Sequence, residues 1–165
     1  MRLAIGSIVI LSLVILFIFA LFPSTVSVTR MVRINSSEDK ILTRISDLRA
    51  WTSWNEFVNS TVAKHNEDTK PDSIRADYLQ IDGNEISLSV ADSDHINTIW
   101  TRGDRMFTGQ FIIDSKNGPP IVIWTLNFHV KWYPWEKLAS MFYDKQLGPL
   151  MEKSLVQLRD EVERH

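Results

Sequence analysis

The stretch "IVIWTLNFHVKW", residues 121–132, decides the fold because its two faces differ in kind. The even positions are apolar or aromatic throughout: Val122, Trp124, Leu126, Phe128, Val130 and Trp132. The odd positions turn polar from Thr125 onward. Because side chains alternate across a strand, this pattern predicts a β-strand with one fully apolar face, and another element must cover that face.

The C-terminal residues 134–163, "PWEKLASMFYDKQLGPLMEKSLVQLRDEVE", supply a helix as the cover. Pro134 suits a first helical position. An apolar stripe follows at helical spacing: Leu138, Met141, Leu155, Leu158 and Val162. Gly148 falls on the same stripe and Pro149 follows it, which removes one backbone hydrogen bond. Either the pair bends the helix and makes space for a ligand, or Gly148 only permits close packing on the sheet.

The preceding sequence predicts a strand, helices and a meander. Residues 26–35, "VSVTRMVRIN", alternate as a first strand. A helix follows, with Ser36 and Asp39 matching a capping box, and Trp51 and Trp54 indicate a short second helix. The polar, aperiodic residues 58–72 indicate a loop. Residues 74–132 then show period-two patterning with hairpin signals such as Asp-Gly, which predicts about five antiparallel strands.

Two stretches resemble the polyketide cyclase/dehydrase-like branch of the SRPBCC or START-like superfamily. Residues 28–54, "VTRMVRINSSEDKILTRISDLRAWTSW", look like its first strand, helix and Trp-containing helix. Residues 133–163 carry Gly148, Leu155, Leu158 and Glu163 where the family tends to place Gly, Leu, Leu and Glu. The resemblance implies an α+β helix-grip fold, a curved antiparallel sheet wrapped around a long C-terminal helix. It also implies an apolar cavity for a lipid-like, steroid-like or polyketide-like ligand, but no particular reaction.

The N-terminal residues 3–22, "LAIGSIVILSLVILFIFALF", are uncharged over the length of a transmembrane helix. A cleaved signal peptide is the alternative, but its apolar region is shorter and is not expected to end in Phe-Pro. We therefore expect an anchor at residues 1–23 and a START-like domain at residues 24–165. Since the linker "PSTVS" is short, the domain is expected close to the lipid surface.

The orientation of this anchor rests on the basic residues that flank it. Arg2 precedes the span, and Arg30, Arg33 and Lys40 follow it, so a simple count would keep the domain in the cytoplasm. Those three residues belong to predicted folded elements, however. A short positive N-terminal tail is also typical of anchors whose N-terminus stays in the cytoplasm. We therefore expect the domain outside the cytoplasm.

Composition excludes several other classes of function. With 18 basic and 20 acidic residues the formal net charge is −2, so nucleic acid is not an expected partner. There is no cysteine, and the four histidines lack metal-ligand spacing, so neither a metal nor another cofactor is expected. No Gly-x-Ser-x-Gly elbow or glycine-rich phosphate loop occurs. We therefore name no catalytic residue.

The residues that we expect to line a ligand cavity are mostly aromatic: Trp54, Trp100, Phe111, Trp124, Phe128, Phe142 and Gly148. The alternative is ordinary core packing, in which large aromatic side chains also dominate. Some polar residues share phase with inward positions and either hold an anionic ligand group or reach water at strand ends: Arg30, Thr98, Arg102 and Arg105.

The sequence therefore predicts a membrane-anchored domain that binds a small hydrophobic ligand between the sheet and the C-terminal helix. One alternative is a cyclase or aromatase enzyme, which would need proton-moving groups inside the cavity. Another is a non-catalytic module whose core is sealed and whose outer surface binds a protein at the membrane. A lipid bilayer is the expected surrounding in all three cases.

Overall fold

The computed structural model describes residues 2–21, 24–64, 73–90, 95–116 and 118–164. The helices are α1 (Arg2–Leu21), α2 (Glu38–Ile45), α3 (Trp51–Trp54), α4 (Glu56–Lys64), α5 (Pro134–Ser140) and α6 (Tyr143–Arg164). The strands are β1 (Thr25–Arg33), β2 (Ser73–Ile74), β3 (Tyr78–Ile81), β4 (Asn84–Val90), β5 (His95–Arg102), β6 (Arg105–Asp114) and β7 (Ile121–His129). A 3₁₀ turn, Leu48–Ala50, leads into α3.

The strands form one antiparallel sheet in the order β1-β7-β6-β5-β4-β3-β2. The first strand pairs with the last, from Thr25 opposite His129 to Arg33 opposite Ile121. Helices α2, α3, α4 and α6 cover one face of the sheet, and the hydrophobic core lies between them and the strands. The predicted α+β helix-grip class is confirmed, with one more strand in the meander than predicted.

The alternation predicted for residues 121–132 is confirmed as far as Val130. Val122, Trp124 and Leu126 are buried, and His129 is exposed on the opposite face. Trp132 was predicted on the covered face, but it is 67% exposed. The reason lies in the strand pairing: β7 pairs with β1 as far as His129, opposite Thr25, and residue 132 lies beyond this paired part.

A further helix, α4, follows α3 and extends into residues that were predicted to be a loop. Residues from Val58 were expected to be a loop, but α4 continues to Lys64, and residues 65–72 lie outside the described residues. Asn55 starts α4 because its Oδ1 accepts from the N–H groups of Phe57 and Val58, at 3.0 and 3.4 Å. At α2, Ser37 rather than Ser36 is the N-cap, and it makes no side-chain capping bond.

The predicted C-terminal helix consists of two helices, of which only α6 covers the sheet. Met141 N–H and Phe142 N–H bond three residues back, to the carbonyls of Leu138 and Ala139, and this tight turn separates α5 from α6. The predicted stripe is therefore wrong at Leu138 and Met141, which are exposed, and right at the buried residues of α6: Leu155, Leu158 and Val162.

Helix α6 is continuous through Pro149, and its end is fastened to the start of the domain. Glu163 accepts a 2.7 Å hydrogen bond from Asn35 N–H in the β1–α2 connection.

The N-terminal helix α1 carries exposed apolar side chains, among them Leu11, Leu13 and Phe17. Within the described part of the chain, no helix meets the length and apolarity needed to cross a membrane. The predicted transmembrane span is thus not supported by the described residues.

Candidate functional site

A row of side chains across the sheet forms the wall of the candidate site. Strand register places in one line the residues that we call the outer row: Phe128, Phe107, Trp100, Ile86 and Leu79. The rings of Phe107 and Phe128 lie 4.7 Å apart, and those of Trp100 and Phe107 stack at 5.5 Å. The outer row therefore presents a continuous apolar surface near the end of the sheet where β1 begins.

Helices α4 and α6 lie opposite this wall. Phe57 of α4 meets Trp100 edge-on at 5.9 Å, and Leu147 of α6 completes the lining. Two contacts from α6 fix the start of α4: Ser154 Oγ accepts from Glu56 N–H at 2.9 Å, and Lys153 pairs with the Glu56 carboxylate at 2.7 Å. Because Ser60 and Thr61 are small, α4 does not fill the space above the outer row.

The space left between wall and helices is a cavity of about 330 Å³. Apart from Ser60 and Thr61 of α4, the polar lining residues lie at its rim: Asp82, Asn84, Glu85, Thr101 and Arg102. They lie at the β3–β4 and β5–β6 hairpins, where Gly83 and Gly103 adopt positive φ angles of 68° and 60° that suit glycine. The cavity is thus apolar inside and polar at its opening.

Two inward-facing positions further along the strands, the space is filled. The inner row consists of Arg30, Trp124, Phe111 and Ile96. Trp51 and Trp54 lie on it, with ring separations to Phe111 of 5.7 and 6.2 Å, and Phe111 stacks on Trp124 at 4.9 Å. All four rings are fully buried, so this cluster closes the inner end of the cavity.

A buried hydrogen bond fixes the indole on the cavity wall. Trp100 Nε1–H donates to Thr98 Oγ1 at 2.9 Å. Gly109 on the neighbouring strand leaves room for this bond, because an added Cβ would overlap Thr98 Oγ1 and lie 3.3 Å from Trp100 Nε1. Thr98 is therefore an inward residue that orients Trp100.

Gly148 leaves room for an arginine rather than for the cavity. The Arg30 guanidinium lies over it and bonds to Asp144 Oδ1 at 2.9 Å and to Glu152 Oε1 at 2.7 Å. A Cβ at Gly148 would lie 2.9 Å from Arg30 Cζ. The hydrogen bonds to Asp144 and then Glu152 raise the pKa of Arg30, so the guanidinium stays charged.

The predicted site residues lie in four different places. Trp100 and Phe128 lie on the cavity wall. Trp54, Phe111 and Trp124 belong to the filled cluster behind it, and Gly148 packs against Arg30. Phe142 is 53% exposed and lines a surface groove with Trp135 and Tyr143.

Of the four aromatic lining residues, sequence reasoning missed two, Phe57 and Phe107. Phe107 alternates in phase with the predicted cavity residue Phe111, which is the signal that could have identified it. Arg102 and Arg105 are exposed at the end of their hairpin, as the strand-end interpretation expected.

The chemistry that this cavity can support is limited by where its charges lie. Its titratable lining groups are Asp82, Glu85 and Arg102, and all three residues are exposed at the rim. The wall of the outer row and α4 contributes hydrocarbon, aromatic rings and hydroxyl groups. Among the described residues, no group of acidic or histidine side chains has an arrangement that fits a metal ion.

Neither a protein-family model nor a curated protein matches the sequence. Solved structures, in contrast, share its fold. The di-domain ARO/CYC BexL from the BE-7585A biosynthetic pathway superposes with a TM-score of 0.59 at 11% identity, over 85% of this chain and 50% of that one. This chain thus corresponds to about half of that protein.

Two single-domain matches have similar values. SA2116 from Staphylococcus aureus, a protein of unknown function, gives a TM-score of 0.61 at 12% identity over 85% of this chain and 94% of that chain. Truncated norcoclaurine synthase from Thalictrum flavum gives 0.53 at 12% identity, over 86% and 95%. At these identities the likeness shows a common helix-grip fold and does not transfer an activity.

Proposed function

We propose that this chain is a binding domain for a small hydrophobic ligand, built on the polyketide cyclase-like variant of the helix-grip fold. The observation that carries the proposal is the cavity of about 330 Å³ between the outer row and helices α4 and α6. Its apolar interior and polar rim match the usual composition of ligand sites, in which a few polar groups orient a mostly apolar molecule.

The size of the cavity limits the ligand. It lies at the lower end of the range of about 300–1,000 Å³ for small-molecule sites. A single acyl chain or a small fused-ring compound suits this volume better than a complete two-chain phospholipid. The rim residues Asn84, Thr101 and Arg102 are placed to meet a polar or anionic end of such a molecule.

Binding without chemistry is favoured over a cyclase or aromatase reaction by the position of the titratable groups. A proton-transfer catalyst must come within hydrogen-bond distance of the reacting atoms. The carboxylates of Asp82 and Glu85 lie at the exposed rim, away from the aromatic wall where a ring-forming chain would fold. We therefore propose retention or transfer of the ligand as the role of the domain.

The test is to block the cavity and measure binding of a fluorescent fatty acid, dansylundecanoic acid, to the full-length protein in lipid nanodiscs. Leu147→Trp puts a large side chain into the cavity from α6. Val156→Trp makes the same change at an exposed position of that helix and serves as the control.

Wild type and Val156→Trp should bind saturably, and Leu147→Trp should bind about tenfold or more weakly, a loss of about 1.4 kcal/mol. Absence of saturable binding by wild type, or equal binding by both variants, would contradict the proposal. Mass spectrometry of extracts from the purified protein then identifies the natural ligand.

We further propose that α1 attaches the domain to a membrane, in the single-pass arrangement expected from residues 3–22, with the domain outside the cytoplasm. After Arg2, the sequence of α1 is uncharged, and this and its exposed apolar side chains support attachment. The chain has no cysteine, so Lys116→Cys provides a single thiol. A membrane-impermeant maleimide should label it in intact cells; labelling only after lysis would place the domain inside.

A further inference from the structure

An unusual surface lies around α5. Its large apolar side chains are between 49% and 67% exposed: Trp132, Trp135, Leu138, Met141 and Phe142. We call this set the α5 patch. The Tyr133 ring packs between the Trp132 and Trp135 rings, and its centroid is 4.9 Å from the centroid of each. Large contiguous apolar surfaces are rare on monomeric soluble domains and usually mark an interaction site.

The α5 patch lies where α1 joins the domain. Val130 N–H donates to Ser24 O at 2.8 Å, and Trp132 follows two residues later. Leu21, the last residue of α1, is three residues before Ser24, so the two Cα atoms are within about 11 Å. Helix α1 also contacts α5. The α5 patch is therefore close enough to the end of α1 to contact the same surroundings.

The chemistry of the patch favours a lipid surface over a protein partner. Tryptophan and tyrosine combine an apolar ring with a polar N–H or O–H group, and they concentrate at the boundary between headgroups and acyl chains. Exposed Lys131 and Lys145 flank the patch in sequence, and cations of this kind are attracted by anionic lipids. The neighbouring Glu136 carboxylate is within 3.9 Å of the Arg105 guanidinium, which offsets its charge.

The opening of the cavity is at the same end of the domain. Antiparallel register aligns the start of β1 with the end of β7 and with the β5–β6 and β3–β4 hairpins. The hairpins carry the rim residues Arg102 and Asn84. The ion pair between Arg105 and Glu136 links the β5–β6 hairpin directly to α5. A surface that contacts the α5 patch therefore also contacts the cavity rim.

We propose that the α5 patch is a lipid-docking surface that seats the domain on the bilayer and turns the cavity opening toward it. This inference deepens the proposed function and rests on membrane attachment through α1. It identifies the membrane as the source or destination of the hydrophobic ligand, which would pass along α5 and the two hairpins without crossing bulk water.

The experiment measures the depth of single spin labels in the full-length protein, reconstituted in vesicles of phosphatidylcholine with a minority of phosphatidylglycerol. Labels are attached to Trp135→Cys and Leu138→Cys in the patch, to Val14→Cys in α1, and to Met31→Cys, an exposed control on β1. Power saturation compares collisions with lipid-soluble oxygen and with a water-soluble nickel chelate.

Labels at positions 135 and 138 should collide mainly with oxygen, as at position 14, and the label at 31 mainly with the nickel chelate. If the labels at positions 135 and 138 collide mainly with the nickel chelate, as the label at position 31 does, while the label at position 14 is in lipid, the docking proposal is wrong. Membrane attachment through α1 would then still stand. Protection of 135 and 138 from both reagents, with dipolar coupling between copies, would replace docking by self-association.

A second measurement separates docking from ligand binding. The double variant Trp132→Glu/Trp135→Glu should exchange the dansyl fatty acid with vesicles several-fold more slowly than wild type, with an unchanged equilibrium Kd. Met31→Glu is the matched control. Equal exchange rates in all three proteins would overturn the role of the patch. Absence of binding by wild type, with labels 135 and 138 in lipid, would instead contradict only the ligand proposal.

Discussion

The contact between Gly148 and Arg30 makes a quantitative prediction for a double-mutant cycle. Arg30 extends from β1 and bonds to Asp144 and Glu152, which lie one turn to either side of Gly148. An alanine Cβ at position 148 would overlap the guanidinium and force it to move. Gly148→Ala therefore disrupts two ion pairs but places a residue of higher helix propensity in α6.

The two effects have similar size and opposite sign. The Arg30 side chain is 24% exposed, and those of Asp144 and Glu152 are 64% and 62% exposed, so each ion pair is worth about 0.2–1 kcal/mol. Alanine gains about 0.8–1 kcal/mol over glycine in a helix interior. In the wild-type background the net change is thus within about 1 kcal/mol of zero.

Removing Arg30 should reveal the helix gain alone. In the Arg30→Ala background, Gly148→Ala should stabilise by about 0.8–1 kcal/mol. For a domain of this length that corresponds to a rise in Tm of about 2–4 °C. Tryptophan fluorescence during heating in mild detergent measures it. Arg33→Ala, on the same strand and exposed, is the control background, in which Gly148→Ala should behave as in wild type.

The result that would refute this reasoning is an identical effect of Gly148→Ala in the wild-type and Arg30→Ala backgrounds, since the cycle would then show no coupling. Weaker binding of the fatty acid by Gly148→Ala with unchanged Tm would point in another direction. It would restore the hypothesis that the glycine makes space for ligand, although Gly148 does not line the cavity.

Three further changes test other contacts by thermal unfolding. Gly109→Ala should cost about 1–3 kcal/mol through overpacking against Thr98 and Leu126; an unchanged Tm would contradict this. Ser154→Ala should cost about 0.5–1.5 kcal/mol, because Glu56 N–H loses its acceptor, whereas Ser154→Thr keeps a hydroxyl and should cost less. The Arg49 hydrogen bond lowers the pKa of Asp47, so its stabilisation is present above the ordinary carboxyl pKa and is lost as pH falls through the lowered value. Asp47→Asn should therefore reduce the acid sensitivity of Tm, and an unaltered pH profile would rule out this contribution.

The fold was predictable where one face of an element is buried over its whole length. In β7 every second side chain enters the core, so strict alternation carries the information. The miss at Trp132 has a non-local cause, because the pairing of β7 with β1 ends at His129, opposite Thr25. The turn after α5 is similar: helical spacing continues through Leu138 and Met141, and only the tertiary structure shows that these residues are uncovered.

The site was predictable only in part, because alternation tells which residues point inward but not what lies opposite them. Phe111 and Phe128 share the inward face, yet Trp51 covers the first and a cavity borders the second. The difference arises from the helices that pack across the sheet, where α3 presents tryptophans and α4 presents Ser60 and Thr61. The spacing of residues within the strands does not indicate which helix packs over each inward side chain.

The two rows therefore have different roles: the inner row contributes mainly to stability, and the outer row contributes mainly to ligand binding. The aromatic rings of the inner row and α3 are fully buried, and the Nε1–H groups of Trp54 and Trp124 find no partner among the described residues, a cost that dense packing of the rings must offset. The outer row keeps its indole N–H bonded at Thr98 and leaves the ring faces free for a ligand. Truncating Trp124 should consequently lower Tm strongly at the inner end. Truncating Phe128, which is only half-buried, should cost less stability and mainly weaken fatty-acid binding, because the surface it removes faces the cavity.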